Sequence, residues 1–242
     1  MLQNTDARKV TYALKTYANY RAQILENQLT GLLLKINDNE VWVRLIGTFN
    51  AYNLLAIYGT AIELGLDHFE VLRLLSELES VSGRFQFIVS NQNITAIVDY
   101  AHTPDALENV LKTINDIRTK NEQLITVVGC GGDRDRAKRP IMANIASTLS
   151  DKVVITSDNP RSENPEDIIA EMEKGVEAQN YKKTVSIVDR KQAIKTACQL
   201  AQPNDIILIA GKGHETYQEI QGVRHHFDDM EVVKELLEQM QK

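Results

Sequence analysis

Apolar residues follow two rhythms along this chain. Up to residue 82 they come in short runs and then in long ones. LLLKI and EVWVRLI flank an Asn-Asp-Asn turn, which predicts a hairpin, and residues 1 to 47 read as strands. TFNAYNLLAIYGTAIELG, Thr48 to Gly65, is apolar nearly all round, which predicts a buried helix stopped by Gly65. Asp67 and Glu70 form a capping-box pattern ahead of a helix with Val71, Leu72, Leu75 and Leu78 on one face. The break SVSGRF then sets a domain boundary after residue 82.

From residue 83 the rhythm changes to strand and helix in alternation. ITAIVDY (94 to 100) is strand-like, and Thr103 and Pro104 cap and start a helix carrying Leu107, Val110, Leu111, Ile114 and Ile117. LITVVG, KVVIT, TVSIV and DIILIA read as strands. Helices are expected over 138 to 149, from Asn164-Pro165, over 190 to 200 and from Met230, with a hairpin at Gln221-Gly222. This order predicts an α/β unit, a mostly parallel sheet flanked by helices, over 83 to 242. Residues 1 to 82 alone would bury only ~60% of their surface. They read as the tail end of a larger domain.

Composition narrows the function. The net charge of -6 argues against a nucleic-acid surface, which needs a basic stripe. No apolar run approaches the roughly 18 residues of a membrane span, and MLQNTDARK lacks a signal-peptide core. Cys130 and Cys198 fit no metal or redox spacing. A soluble, cytoplasmic protein is the default expectation.

In an open parallel sheet, ligands bind beyond the carboxyl ends of the strands. The loops there are DYAHTP, GCGGDRDRAKRP, SDNPR and GKGHETYQ, all rich in charge or glycine and all expected on one edge. In GCGGDRDRAKRP the glycines allow close backbone approach to a ligand, and Arg134, Arg136, Lys138 and Arg139 supply cations for a carboxylate or phosphate. A solvated basic loop is the plainer reading. The third glycine of a dinucleotide fingerprint is replaced by Arg134, which weakens an oxidoreductase. Cys130 reads as a packed thiol. In SDNPR, Arg161 suits a carboxylate, Asp158 an ammonium and Asn159 either, while Pro160 sets the turn. Together they suit an amino-acid head, but equally a helix-leading turn with a surface ion pair. Glu215 is placed to hold a substrate amine. Asn50 and Asn53 share a face of the first helix and match an adenine edge or bridge buried backbone.

GTFNAYN, SGRF, DYAHTPDAL, GCGGDRDRAKRP, TSDNPRSENP and AGKGHETYQ, in that order, resemble the C-terminal half of a Mur ligase, most closely of the MurE type. The resemblance implies a Rossmann-like C-terminal domain over 83 to 242, preceded by a remnant of the central ATPase domain over 1 to 82. It implies an ATP- and magnesium-dependent peptide synthase of peptidoglycan synthesis. Such an enzyme phosphorylates the D-glutamate carboxylate of UDP-MurNAc-L-Ala-D-Glu, and the amine of a diamino acid attacks the acyl phosphate. The DNPR form is associated with meso-diaminopimelate, whose second carboxylate Arg161 would pair with. By the same resemblance Arg134, Asp158, Asn159, Pro160, Arg161, Gly211 and Glu215 would bind diaminopimelate. Asn53, Arg84, Asp99 and His102 would line the nucleotide. Lys212 and His214 match the motif without separate roles. Ala137 and Gln86 stand where the family pattern has glycine and glutamate.

The family's phosphate loop, magnesium ligands and carbamoylated lysine would precede this chain, with Met1 to Arg8 a strand and turn inside the central domain. On that reading the chain alone does not ligate, and the nucleotide sugar binds through the missing part. Residues 1 to 82 are then expected to expose apolar surface and to associate. The alternatives are another Mur or folylpolyglutamate-type ligase, against which DNPR and GKGHE argue, and a standalone amino-acid-binding module.

Overall fold

A computed structural model describes residues 6–240 of the chain, which separates into one unit ending at Ser80 and another beginning at Val81. Most of the strand and turn expected over Met1 to Arg8 lies outside the described residues.

The first unit is a sheet in the order β1 (Tyr12–Ala13), β2 (Tyr20–Gln28), β3 (Gly31–Ile36), β4 (Asn39–Val43). β1 runs parallel to β2, and the other pairs are antiparallel. Asn37 and Asp38 close the expected hairpin with φ of 43° and 69°. These residue types tolerate the left-handed region that a two-residue hairpin turn needs. One face of the sheet is covered by α1 (Thr48–Glu63) and α2 (His68–Glu77), with Leu32, Leu34 and Ile36 packed among Leu54, Leu55 and Leu75.

The buried helix expected over Thr48 to Gly65 is buried on one stripe only. Ala51, Leu54, Leu55, Tyr58 and Gly59 face the sheet, while Phe49, Tyr52 and Ile57 stay 40–49% exposed. A single four-stranded sheet can cover only one side of a helix. Gly65, at φ 86°, ends it as expected, with Leu66 N–H donating to Ala61 O at 3.1 Å. Asp67 caps α2 by accepting from Glu70 N–H at 3.0 Å. The reciprocal half of the capping box is absent, because the Glu70 carboxylate pairs with Arg73 instead.

The second unit is built on a six-stranded sheet. Its strands are β5 (Gln86–Val89), β6 (Thr95–Asp99), β7 (Leu124–Cys130), β8 (Lys152–Ser157), β9 (Thr184–Ile187) and β10 (Ile206–Ala210), in the order β5-β6-β10-β7-β8-β9. β5 is an antiparallel edge strand that the sequence reading missed, and the other five are parallel. Every residue of β6, β7 and β10 is buried, as a parallel sheet covered on both faces requires. On one face α6 (Arg190–Leu200) and α7 (Asp229–Gln239) pack Ile194, Ala197, Val233 and Leu236 against Val98, Val127 and Ile209. α3 (Pro104–Ile117), α4 (Lys138–Leu149) and α5 (Pro165–Glu173) pack side by side, α4 and α5 against β7 and β8. Thr103 caps α3 and Asn164 caps α5, each followed by a proline in the first turn. A short 3-10 turn covers Ala178–Lys183. The hairpin of β11 (Tyr217–Ile220) and β12 (Val223–His226) turns at Gln221-Gly222 as expected. Because β6, β10, β7 and β8 are neighbours and parallel, their carboxyl ends share one edge, and the four polar loops gather there.

Candidate functional site at the carboxyl edge of the second sheet

Each loop at this edge is bonded to the next. Gly211 N–H donates to Asp99 O at 3.0 Å, Gly132 N–H to Asn159 O at 2.9 Å, and Lys138 Nζ to His102 O at 2.7 Å. The Asp158 loop carries the densest set of bonds. Asn159 and Asp158 are buried, at 2% and 6% exposure. Asn159 Oδ1 accepts from Glu219 N–H at 2.9 Å and from Lys212 Nζ at 3.3 Å, while its Nδ2 donates to Glu215 Oε2 at 2.8 Å. Lys212 is fully buried and donates also to Tyr217 O and to Glu215 Oε2, the latter at 3.4 Å. Asn159 therefore spends its amide on the framework, and Glu215 is left with Oε1 free of bonds among the described residues.

Asp158 is held by its backbone, with Gln218 Nε2 donating to its carbonyl at 2.7 Å, and its carboxylate makes no hydrogen bond among the described residues. Gly211 lies against it at φ 119°, and a Cβ there would stand 2.7 Å from Asp158 Oδ2. Glycine is required at 211 both for its backbone angle and to leave that carboxylate open. Arg161 also has a left-handed backbone, φ 52°, fixed by bonds from Arg161 N–H to Glu219 O at 3.0 Å and from Gln221 N–H to Arg161 O at 2.7 Å. A non-glycine residue in this region marks a position held by its surroundings. Its Nη1 donates to Gly132 O at 2.7 Å, leaving the rest of the guanidinium available. Arg134 is exposed and, among the described residues, bonds only its neighbour's carbonyl, Asp133 O, at 3.2 Å. A Cβ on Gly131 would sit 2.9 Å from Arg161 Nη1 and 3.9 Å from Arg134 Cγ, so the two arginines flank that glycine.

In GCGGDRDRAKRP two of the three glycines serve packing between loops, and most of the expected cations are engaged. A Cβ on Gly129 would meet Thr156 O at 2.6 Å, and one on Gly132 would meet Pro160 O at 1.9 Å. Of the four cations, Arg134 alone makes no bond outside its own loop among the described residues. Arg139 is fully buried and bonds Glu163 Oε1 at 2.8 Å and Glu171 Oε2 at 2.7 Å. Arg136 pairs with Glu171, and Lys138 holds the His102 carbonyl. Bonds from Arg136 and Arg139 pull the Glu171 carboxyl down to about 2, and Arg139 lowers that of Glu163. Cys130 is a packed thiol as expected. Burial pushes it up to about 12, and it lies 3.7 Å from Met142 Sδ.

A second cluster adjoins the first. The Arg84 guanidinium lies 4.8 Å from the Tyr100 ring centroid, and the rings of His102 and His214 tilt against Tyr100 at 4.4 and 5.0 Å. Asp99 Oδ2 accepts from Phe85 N–H at 2.7 Å, and burial raises its carboxyl above the ordinary range. Gln86 accepts from Gly83 N–H at 3.0 Å through Oε1, an acceptor role that a glutamate would also fill. Asn53 lies in the first unit on α1, donating to Asn50 Oδ1 at 3.3 Å, while Asn50 bridges to Ile46 O at 2.8 Å. Sequence reasoning missed Arg190 and Asp229, which are fully buried and paired with each other behind this edge. Nothing in their spacing announces it, because they meet from the first turns of two helices.

A family model for the glutamate ligase domain of Mur ligases matches residues 83–213. A UDP-N-acetylmuramoyl-L-alanyl-D-glutamate--2,6-diaminopimelate ligase of Cytophaga hutchinsonii is 55% identical over 100% of this chain and 50% of its own length. One of Halalkalibacterium halodurans is 43% identical, over 97% of this chain and 48% of its own. The chain thus spans about half the length of the curated relatives it matches. A solved structure of a ligase of the same name superposes with a TM-score of 0.71 at 41% identity, covering 96% of this chain and 48% of that one. A folylpolyglutamate synthase of Thermotoga maritima superposes at 0.61 with 17% identity over 80% of this chain and 44% of that one, a likeness of fold alone.

Proposed function

The chain belongs to the Mur ligase family, and on that premise we propose that it supplies the amino-acid site of a ligase joining meso-diaminopimelate to UDP-MurNAc-L-Ala-D-Glu. The observation that carries the reading is the open Asp158 carboxylate, 6% exposed and without a hydrogen bond among the described residues, on the same edge as Arg161, Arg134 and Glu215. A buried carboxylate kept free of protein donors is costly unless a cation comes to it. An α-ammonium at Asp158 and Glu215 Oε1 and a carboxylate at Arg161 and Arg134 describe one zwitterionic head. Asn159 and Lys212 orient Glu215, Pro160 shapes the turn, and Gly211 keeps the approach open. Diaminopimelate carries such a head at the far end of its side chain and lysine carries only an amine, so the guanidinia select the former. Held by that far head, the molecule would present its other amine to the activated D-glutamate carboxyl.

ATP supplies that activation in the whole protein. Toward it this unit offers Arg84 and the ring faces of Tyr100, His102 and His214, with Asp99 bracing the loop through Phe85. Asn53, on the first unit, is proposed for nucleotide binding on the resemblance alone. Among the described residues no group of three His, Cys, Asp or Glu is placed to hold a metal. Magnesium enters this reading on the resemblance alone, as part of the whole protein. So do the UDP-sugar, the cytoplasmic location and ligation itself.

The test is an NMR titration of labelled chain with meso-diaminopimelate, then L-lysine. Shifts at Arg134, residues 158 to 161 and Glu215 with diaminopimelate and not lysine are expected. Equal response to both would remove the selectivity, and no response would remove the site.

A further inference from the structure

Arg190 opens α6 and Asp229 opens α7, and both are fully buried. The guanidinium meets both carboxylate oxygens, Nε to Oδ1 at 2.8 Å and Nη2 to Oδ2 at 2.7 Å. A buried ion pair gains little over apolar residues of the same volume, so stability alone gives it no reason to be there. Its remaining bonds do something an apolar pair could not. Nη1 donates to Ser157 O at 3.4 Å, and Nη2 donates to Ala210 O at 3.2 Å.

Ser157 ends β8 and Ala210 ends β10, and β7 lies between those strands. β8 and β10 share no ladder, so nothing in the sheet's own hydrogen bonding ties their ends directly. One guanidinium spans the end of β7 and holds both. The residues that follow the two carbonyls are Asp158 and Gly211. These are the pair whose close approach leaves no room for a Cβ at 211.

We propose that Arg190, fixed by Asp229, is a positioning residue for the amino-acid site, setting the gap between Asp158 and Gly211. It touches no ligand. The proposal rests on the amino-acid reading above and adds two residues which that reading does not use.

The test uses the full chain carrying R190M/D229L, which replaces the ion pair with apolar side chains of similar size. Binding of meso-diaminopimelate is measured by calorimetry, beside the thermal midpoint. A near-unchanged midpoint with affinity weakened tenfold or more is expected, since a purely structural pair would leave binding intact in a folded variant. A folded double variant that binds as tightly as the unsubstituted protein overturns the proposal. R190K is the second arm. It keeps the charge but loses the bridging fork, so a weakening of a few-fold at an unchanged midpoint is expected. If the double variant fails to fold and R190K binds normally, the role is structural and the proposal falls. If the unsubstituted protein does not bind diaminopimelate, the amino-acid reading falls and takes this inference with it. Binding by that protein with no loss in either variant removes this inference alone.

Discussion

At the scale of single residues, the guanidinium of Arg161 and the missing side chain of Gly211 make opposite demands on the same pocket. Arg161→Ala removes a charge-assisted bond worth ~1.5–3 kcal/mol, so affinity for meso-diaminopimelate should drop by about ten- to a hundredfold. The same calorimetry with L-lysine should show no further loss, because lysine has no carboxylate there. Gly211→Ala adds a methyl 2.7 Å from Asp158 Oδ2 at a backbone angle that disfavours it, and it should abolish binding while costing about 1–3 kcal/mol in denaturant unfolding. What the sequence revealed at this scale was chemistry at strand ends. Asp158, Arg161 and Glu215 could be picked out as candidates because charged residues in the loops after buried strands lie where an open parallel sheet binds ligands. The commitments of Lys138, Arg136 and Arg139 were not legible. Their partners, His102, Glu171 and Glu163, are joined to them only by the packing of α4, α5 and the strand-end loops. Asn159 was legible as important, but its framework role needs Glu219 and Lys212 in place.

At the scale of elements, local signals and tertiary bonds divide the work. The caps of α3 and α5 were readable as Thr-Pro and Asn-Pro, and Asn164→Ala should cost ~1 kcal/mol in chemical denaturation. The antiparallel β5 was not readable, because QFIV is short and only partly buried, and it owes its conformation to pairing with β6. α1 was over-read as buried, since periodicity reports apolar faces and not how many partners exist to cover them. The α4–α5 contact carries an acid-sensitive device. The Glu171 carboxyl is lowered from its ordinary 4.5 to about 2 by Arg136 and Arg139. A lowered acid stabilises the fold above its unfolded value and loses that contribution as pH falls through the folded one. Glu163 acts in the same direction, whereas Asp99, raised by burial, favours the fold at low pH. The thermal midpoint should therefore fall as pH drops from about 4.5 toward 2, and Glu171→Gln should flatten that slope in a melting series.

At the scale of the molecule, the two units meet in sequence at a stretch with little to protect it. Val81 is 73% exposed and follows the end of α2 by a few residues. Limited elastase digestion should nick there first and leave a fragment containing the whole second unit, read by mass spectrometry. The strand order has a further consequence, in time. β10 sits between β6 and β7, pairing 206–210 with both 95–99 and 124–128. During synthesis those two strands emerge long before the one that separates them. Until it arrives they must leave a slot one strand wide, or join each other wrongly. Assembly of this sheet is therefore non-local and slow, and its most apolar strand is the keystone inserted last.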